Sequence, residues 1–187
     1  MYKKIIIYSF IIISFSSAFN RLYSFYPHGD SAGFFIRAGF PTQVSLGITG
    51  KFDVVPFMFG GILNIGISST GFAFFGVSVS ADWWGLKHRL GMLGDSHVWI
   101  YFGPGAEGVM EFGNKYWNIE ANFRLPVGFS FIVDRDWEIF LQAAPGLSVI
   151  AVGNDGFRTF GWYPRSSGWS FSKFFRFYGD FGFRYWF

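Results

Sequence analysis

The sequence predicts an all-β fold: a closed antiparallel up-and-down transmembrane β-barrel of about eight strands, preceded by a cleavable signal peptide. Three observations predict it. Apolar and polar residues alternate with a period of two along most of the chain, the apolar set is rich in aromatics, and charge is sparse. Apolar residues make up 51% of the 187, charged residues 14% and aromatics 24%, with 28 Phe and 25 Gly. That balance lies far to the apolar side of an ordinary soluble domain. Phe and Gly together favour pleated backbone and tight turns over helix.

The length fits one domain. Lys3 and Lys4 precede the apolar run Ile5 to Phe15, and Ser16-Ser17-Ala18 follows with small residues where a signal peptidase cuts. Residues 1–18 are therefore expected to be a signal peptide, 19–32 a short periplasmic segment and 33–187 the barrel. The apolar run is short for a membrane span of about 20 residues, which argues against an uncleaved anchor.

Removing Lys3 and Lys4 with the signal lowers the formal charge from +3 to +1. The remaining basic residues are scattered and accompanied by acids, so no nucleic-acid partner is expected. There is no cysteine. Disulfides, thiolate ligands and a lipoprotein acceptor are thereby excluded, and the fold itself must supply the anchor.

A helical reading competes only between Asp53 and Asp82, where no charge occurs and a hydropathy window would mark Val54 to Val79 as a span. Pro56, Gly60, Gly61, Gly66, Gly71 and Gly76 interrupt that window, and Ser68-Ser69-Thr70-Gly71 reads as a hairpin turn. Ile62, Asn64, Gly66 and Ser68 share one strand face, opposite Gly61, Leu63, Ile65 and Ile67. After the turn, Gly76, Ser78, Ser80 and Asp82 oppose Phe75, Val77, Val79, Ala81 and Trp83.

The other strands follow the same rule. Arg37 and Gly39 alternate with Phe34, Ile36, Ala38 and Phe40; past Pro41-Thr42-Gln43, Ser45, Gly47, Thr49 and Lys51 alternate with Val44, Leu46 and Ile48. His97, Tyr101, Gly103, Gly105, Glu107 and Glu111 oppose Val98, Ile100, Phe102, Ala106 and Met110 in a fifth strand. Asn118, Glu120, Asn122 and Arg124 mark a sixth, and Glu138, Gln142 and Ser148 a seventh. In the last, Phe175, Phe177, Phe181, Phe183, Tyr185 and Phe187 oppose Arg176, Tyr178, Asp180, Gly182 and Arg184. Leu86 to Ser96 is expected to be a long periplasmic turn with a short helix, Asp134-Arg135-Asp136 a periplasmic hairpin turn, and Gly113-Asn114-Lys115 an external one.

A secreted β-sandwich would also alternate. Its water-facing side would be rich in Lys, Glu and Thr, whereas the polar face here is thin, glycine-rich and of mixed sign, as a narrow lumen requires. Phe40, Trp83, Phe112, Trp117, Trp137, Tyr185 and Phe187 fall near strand ends, where headgroup-level girdles belong. Strands in hydrocarbon must pair every backbone group, so they close on themselves.

The ending Phe181-Gly182-Phe183-Arg184-Tyr185-Trp186-Phe187 resembles the C-terminal signature of outer-membrane barrels. The resemblance implies that Phe183, Tyr185 and Phe187 are read by the barrel-assembly machinery during biogenesis. Gly39-Phe40-Pro41-Thr42 leading to Lys51-Phe52, Ala81-Asp82-Trp83, Tyr101-Phe102-Gly103-Pro104-Gly105, Arg124-Leu125-Pro126-Val127-Gly128, and Glu138-Ile139-Phe140-Leu141 before Ala144-Pro145-Gly146 are similar to uncharacterised outer-membrane proteins of spirochaetes with an OmpA-like transmembrane barrel. These are packing and turn features spread along the mature chain. They imply fold and bacterial outer-membrane location after export, and no particular activity.

Arg37, Lys51, Asp82, Glu107, Glu120, Arg124, Glu138, Arg176, Asp180 and Arg184 share the polar face, and a plugged lumen of ion pairs is expected of them. His28, His88 and His97 have no metal-ligand spacing, so neither metal nor cofactor is expected. With a periplasmic N-terminus, His97 begins its strand at the periplasmic rim, away from outer-leaflet lipid substrates, and is expected to hydrogen-bond rather than catalyse. Gly103 to Gly108 lacks the helix and Lys-Ser/Thr of a phosphate loop and reads as small residues in a curved strand.

Gly153 to Ser170 is expected to be a surface loop, with Phe157, Arg158, Trp162, Tyr163, Arg165 and Trp169 as contact residues. It would meet an extracellular ligand or fold over the barrel mouth. The expected function is structural or surface-interaction (adhesin or ligand binding) and not enzymatic, with outer-membrane lipid as the surrounding partner. The alternatives are a narrow pore for small molecules and, third, a lipid-modifying enzyme.

Overall fold

The computed structural model describes residues 29–40, 43–68, 71–114, 116–154, 156–159 and 174–187. Twelve strands occupy them: β1 (Ser31–Phe40), β2 (Gln43–Lys51), β3 (Phe57–Ser68), β4 (Gly71–Trp83), β5 (Leu86–Leu93), β6 (Ser96–Phe102), β7 (Gly105–Gly113), β8 (Tyr116–Arg124), β9 (Val127–Val133), β10 (Trp137–Gly153), β11 (Gly156–Thr159) and β12 (Phe175–Trp186). All pairings are antiparallel and belong to one sheet, in the order β12, β1, β2, β3, β4, β7, β8, β10, β9, β6, β5. β11 lies beside β10, and β10 is also paired with β12.

The apolar run after Asp53 forms β3 and β4, not a helix. Among the described residues no helix is long and apolar enough to cross a membrane. β1 begins at Ser31, two residues ahead of the expected start of the domain.

There are more strands than the eight the periodicity suggests, because three stretches are interrupted and the short β11 follows β10. Pro104 and Pro126 have no N–H to give to a ladder, so β6 stops before β7 and β8 before β9. Backbone bonds bridge the gaps: Trp83 N to Pro104 O at 2.9 Å, Gly103 N to Pro126 O at 3.2 Å and Leu125 N to Pro145 O at 2.8 Å. A Cβ on Gly103 would fall 2.0 Å from Trp83 O, so only glycine allows that approach. Between β4 and β5, Trp84 N turns to Pro56 O at 2.7 Å.

Leu86 to Ser96 is not a turn with a helix. Leu86 to Leu93 is β5, paired with β6 from Leu86↔Phe102 to Leu93↔Ser96, and the turn shrinks to Gly94 and Asp95. Lys87, His88 and Arg89 interrupt the apolar alternation, which hid the strand from the sequence. Asp134, Arg135 and Asp136 do form a turn, with φ of 54° at Asp134 and 67° at Arg135. Two successive left-handed residues make the hairpin twist that matches strand twist.

Burial is inverted relative to a water-soluble protein. Ile48 is 70% exposed and Phe34 62%, whereas Arg37 is 2% and Glu138 0% exposed. Along β2 the pattern reads buried at Gln43, Ser45, Gly47 and Thr49 and exposed at Val44, Leu46 and Ile48. The girdle aromatics Phe40, Phe112, Trp117, Trp137, Tyr185 and Phe187 are exposed, and Trp83 is half-buried. A cluster of Met58, Trp84, Trp99, Tyr101, Ile132 and Trp186 is buried with the polar face, at the end where β1 starts and β12 finishes.

Candidate functional site

The buried polar face carries the chemistry. Alternation alone sends Arg37 on β1, Asp82 on β4, Glu107 on β7, Arg124 on β8 and Asp180 on β12 to the same side, although these strands are spread around the sheet. There they meet. Arg37 donates from Nε to Asp180 Oδ1 at 2.7 Å, from Nη2 to Asp180 Oδ2 at 3.0 Å, and from Nη1 to Glu107 Oε1 at 2.6 Å. Arg124 Nε lies 3.1 Å from Asp82 Oδ1, with Glu107 Oε1 at 3.6 Å and Asp180 Oδ2 at 3.7 Å. The bidentate grip on Asp180 is the geometry at which guanidinium and carboxylate bind best. The Arg37 guanidinium carbon also sits 4.5 Å from the centre of the Tyr178 ring.

Neutral polar residues tie this group to the neighbouring strands. Gln43 Nε2 donates to Asn64 Oδ1 at 2.6 Å, and Ser45 Oγ donates to the same oxygen at 2.9 Å. Asn64 Nδ2 donates to Ser78 Oγ at 3.2 Å, and Ser78 Oγ to Glu107 Oε1 at 3.4 Å. On the other side Tyr101 Oη donates to Gln142 Oε1, and Gln142 Nε2 to Asp180 Oδ2, both at 3.0 Å.

Two smaller groups flank the centre. Toward the end where β10 meets β11, Arg176 Nη2 donates to Glu120 Oε1 at 2.6 Å and Asn118 Nδ2 to the same oxygen at 2.8 Å. Toward the opposite end, Glu138 Oε1 accepts from Arg184 Nη1 at 2.8 Å and Ser130 Oγ at 2.6 Å, while Trp186 Nε1 donates to Glu138 Oε2 at 2.9 Å. Arg184 stacks on Phe140, its guanidinium carbon 3.8 Å from the ring centre. Between this group and the central one lies a cavity of about 20 Å³, lined in part by Thr49, Ser80, Asp82, Gln142 and Asp180. It has room for about one water molecule.

Nine of the ten lumen residues expected from the sequence thus lie in three contacting groups. Lys51 does not. It stands at the end of β2, where its Nζ lies 3.9 Å from the exposed Asp53 and its own side chain is 12% exposed. Arg158 is also misplaced by the sequence reading. Instead of facing outward it turns in from β11, donating from Nη2 to Asn118 Oδ1 at 2.7 Å with Glu120 Oε1 at 3.5 Å. β11 pairs with β10, Ala151↔Arg158, so the alternation continues past the expected loop start and Arg158 takes the inward parity. Phe157, by the same parity, is exposed. Trp162, Tyr163, Arg165 and Trp169 lie outside the described residues.

Phe183 packs on Phe34 at 5.6 Å between ring centres, Tyr185 on Trp137 at 5.1 Å, and Phe187 stacks on Tyr185 at 6.2 Å. His97 is half-buried on β6, and its Nδ1 has no hydrogen-bond partner among the described residues. Among the described residues no group of His, Cys, Asp and Glu could hold a metal ion.

No protein-family profile and no curated sequence matches the chain. Among solved structures it is similar to Neisserial surface protein A, at 10% sequence identity and a TM-score of 0.44, over 84% of this chain and 94% of that one.

Proposed function

We propose that the sheet closes into an eight-walled barrel in the bacterial outer membrane, with a lumen plugged by ion pairs and a structural or surface-interaction role. The observation that carries this reading is the inverted burial: charged side chains are enclosed while Phe34, Leu46, Ile48 and Val79 face outward. In water that arrangement would be unstable; in hydrocarbon it is the required one. Closure is supported by the pairing of β12 with both β1 and β10. Taking β4 with β5, β6 with β7, β8 with β9 and β11 with β12 as single walls gives eight, each with two neighbours.

The registers support the same geometry. Stepping sideways from Ser31 leads to Lys51, Met58, Asp82, Gly105, Arg124, Gly146 and Arg176. Because Phe177 pairs with Phe40, Arg176 falls opposite position 41, ten residues along β1 from the start at 31. With about 3.3 Å per residue and about 4.8 Å between strands, that stagger over eight walls corresponds to a strand tilt of about 40°, within the range of closed barrels.

Residues 1–18 act as the export signal in this reading, Phe183, Tyr185 and Phe187 as the assembly signal, and outer-membrane lipid as the surrounding partner. The 153–170 region is the surface contact for an extracellular ligand, by way of Phe157 and the aromatics that follow. A conducting pore is less favoured, since Arg37 and Arg124 bridge strands on opposite sides of the sheet order. Electrophoresis with and without boiling, together with membrane fractionation, tests the proposal. Heat-modifiable migration and co-sedimentation with outer membrane are expected; a polypeptide that stays soluble without amphiphile contradicts it.

A further inference from the structure

Directly paired residues share a face, so the inward side chains of β2, β3 and β4 form rows across the three strands. Two of these rows differ in one respect. In the first, Asn64 on β3 stands beside Ser45 on β2. Its Oδ1 accepts from Ser45 Oγ at 2.9 Å and its Nδ2 donates to Ser78 Oγ on β4 at 3.2 Å, so β2 and β4 are linked through β3. Four residues along, the row runs Thr49, Gly60, Ser80, and its middle position has no side chain. The cavity of about 20 Å³ lies there, with all three residues in its wall.

Two other residues of that wall, Asp82 and Arg124, are buried and under-bonded. Asp82 Oδ1 and Arg124 Nε approach to 3.1 Å, yet neither makes a hydrogen bond among the described residues, because a short distance without alignment does not suffice. Buried polar atoms are costly to leave in that state. We infer that the gap at Gly60 is a binding site for one fixed water molecule, which takes the bridging part that the Asn64 side chain plays four residues away.

Size and charge both select water. The volume matches about one molecule. The guanidinium groups of Arg37, Arg124 and Arg184 stand in the wall and repel a cation, while the carboxylates of Asp82 and Asp180 stand there too and repel an anion. Water is neutral and both donates and accepts, as a wall of hydroxyl, carboxylate and guanidinium groups requires. Thr49 and Ser80 supply hydroxyls of either sense, and with Asp82 they make up the roughly three partners of a buried water. Gly60 keeps the place open, since a Cβ there would lie 2.6 Å from Ser80 Oγ. The site depends on the buried polar face alone, and not on what surrounds the sheet.

Gln142 lines the same cavity, and its side-chain amide reports on the site. In the protein refolded in detergent with nitrogen-15 in its glutamines, the Gln142 amide protons are expected to show NOE and ROE cross-peaks to the water resonance. The two should be of opposite sign, the mark of a long-held molecule, and the same in sodium chloride as in potassium sulfate. Gly60→Ala, whose methyl group occupies the gap, is expected to lose these cross-peaks. Oxygen-17 relaxation should then count one long-held water fewer than in the parent. Cross-peaks that are absent from the parent, or that change with the salt as an ion would make them, overturn the proposal. So does an unchanged water count in a Gly60→Ala protein that keeps heat-modifiable migration. The parent spectra decide the matter even where the variant fails to refold, and none of these results bears on whether the sheet closes in a membrane.

Discussion

Arg37 on β1 and Glu107 on β7 meet at 2.6 Å, although the hydrogen-bonded order places β2, β3 and β4 between them. Their contact crosses the buried polar face instead of running along the sheet. Both side chains are only 1% exposed, so each charge depends on the other for what water no longer supplies.

Arg37→Met should accordingly destabilise the protein by about 3–5 kcal/mol, because Glu107 and Asp180 lose the buried guanidinium that hydrogen-bonds to both. Urea unfolding in lipid vesicles measures this. Adding Glu107→Gln should recover part of the loss, giving a coupling energy of about 1–3 kcal/mol in the double-mutant cycle. Strictly additive effects would mean that the pair is not coupled.

Lys51→Ala should behave in the opposite way and change stability by less than about 0.5 kcal/mol. Its partner Asp53 is exposed at 3.9 Å, the situation in which ion pairs contribute little. The same titration serves, and a loss comparable to that of Arg37→Met would place Lys51 in the network after all.

The contrast between these two residues shows what the sequence could carry. Parity assigns both to the polar face, since a period of two is fixed by the backbone. It could not say which residue of β7 or β12 would stand across from Arg37, because contacts across the buried face depend on the stagger of every intervening strand. Nor could it see that β2 ends at Lys51. Arg158 was lost for a related reason: a turn after Gly153 looked like the end of the sheet, whereas β11 carries the alternation four residues further. β5 was hidden by Lys87, His88 and Arg89, and β9 by Pro126, although Phe129 and Phe131 alternate with Gly128 and Ser130.

Gly182 tests the packing of the same face. A Cβ there would lie 2.5 Å from Phe34 O, 2.6 Å from Phe35 Cβ and 2.7 Å from the Phe140 ring. Gly182→Ala must therefore push β12 away from β1, at a cost of about 1–3 kcal/mol. A midpoint in urea equal to that of the parent protein would show that the seam between these strands has slack.

On the apolar face, Leu46→Arg should lower the folding free energy in bilayers by about 2–4 kcal/mol, as for a cation at the depth of the hydrocarbon midplane. Leu46 is exposed midway along β2, so burial within the protein contributes little to its effect. Unchanged stability would indicate that this face meets water.

The most direct measurement compares two adjacent positions on β2, exposed Ile48 and buried Thr49. Each is replaced by cysteine, labelled with a nitroxide and studied in reconstituted bilayers by collision with oxygen and with a water-soluble nickel complex. The account predicts that the label at 48 is relaxed strongly by oxygen and weakly by nickel, and that the label at 49 is shielded from oxygen. A label at 48 that responds to nickel as a water-exposed site does would contradict the account.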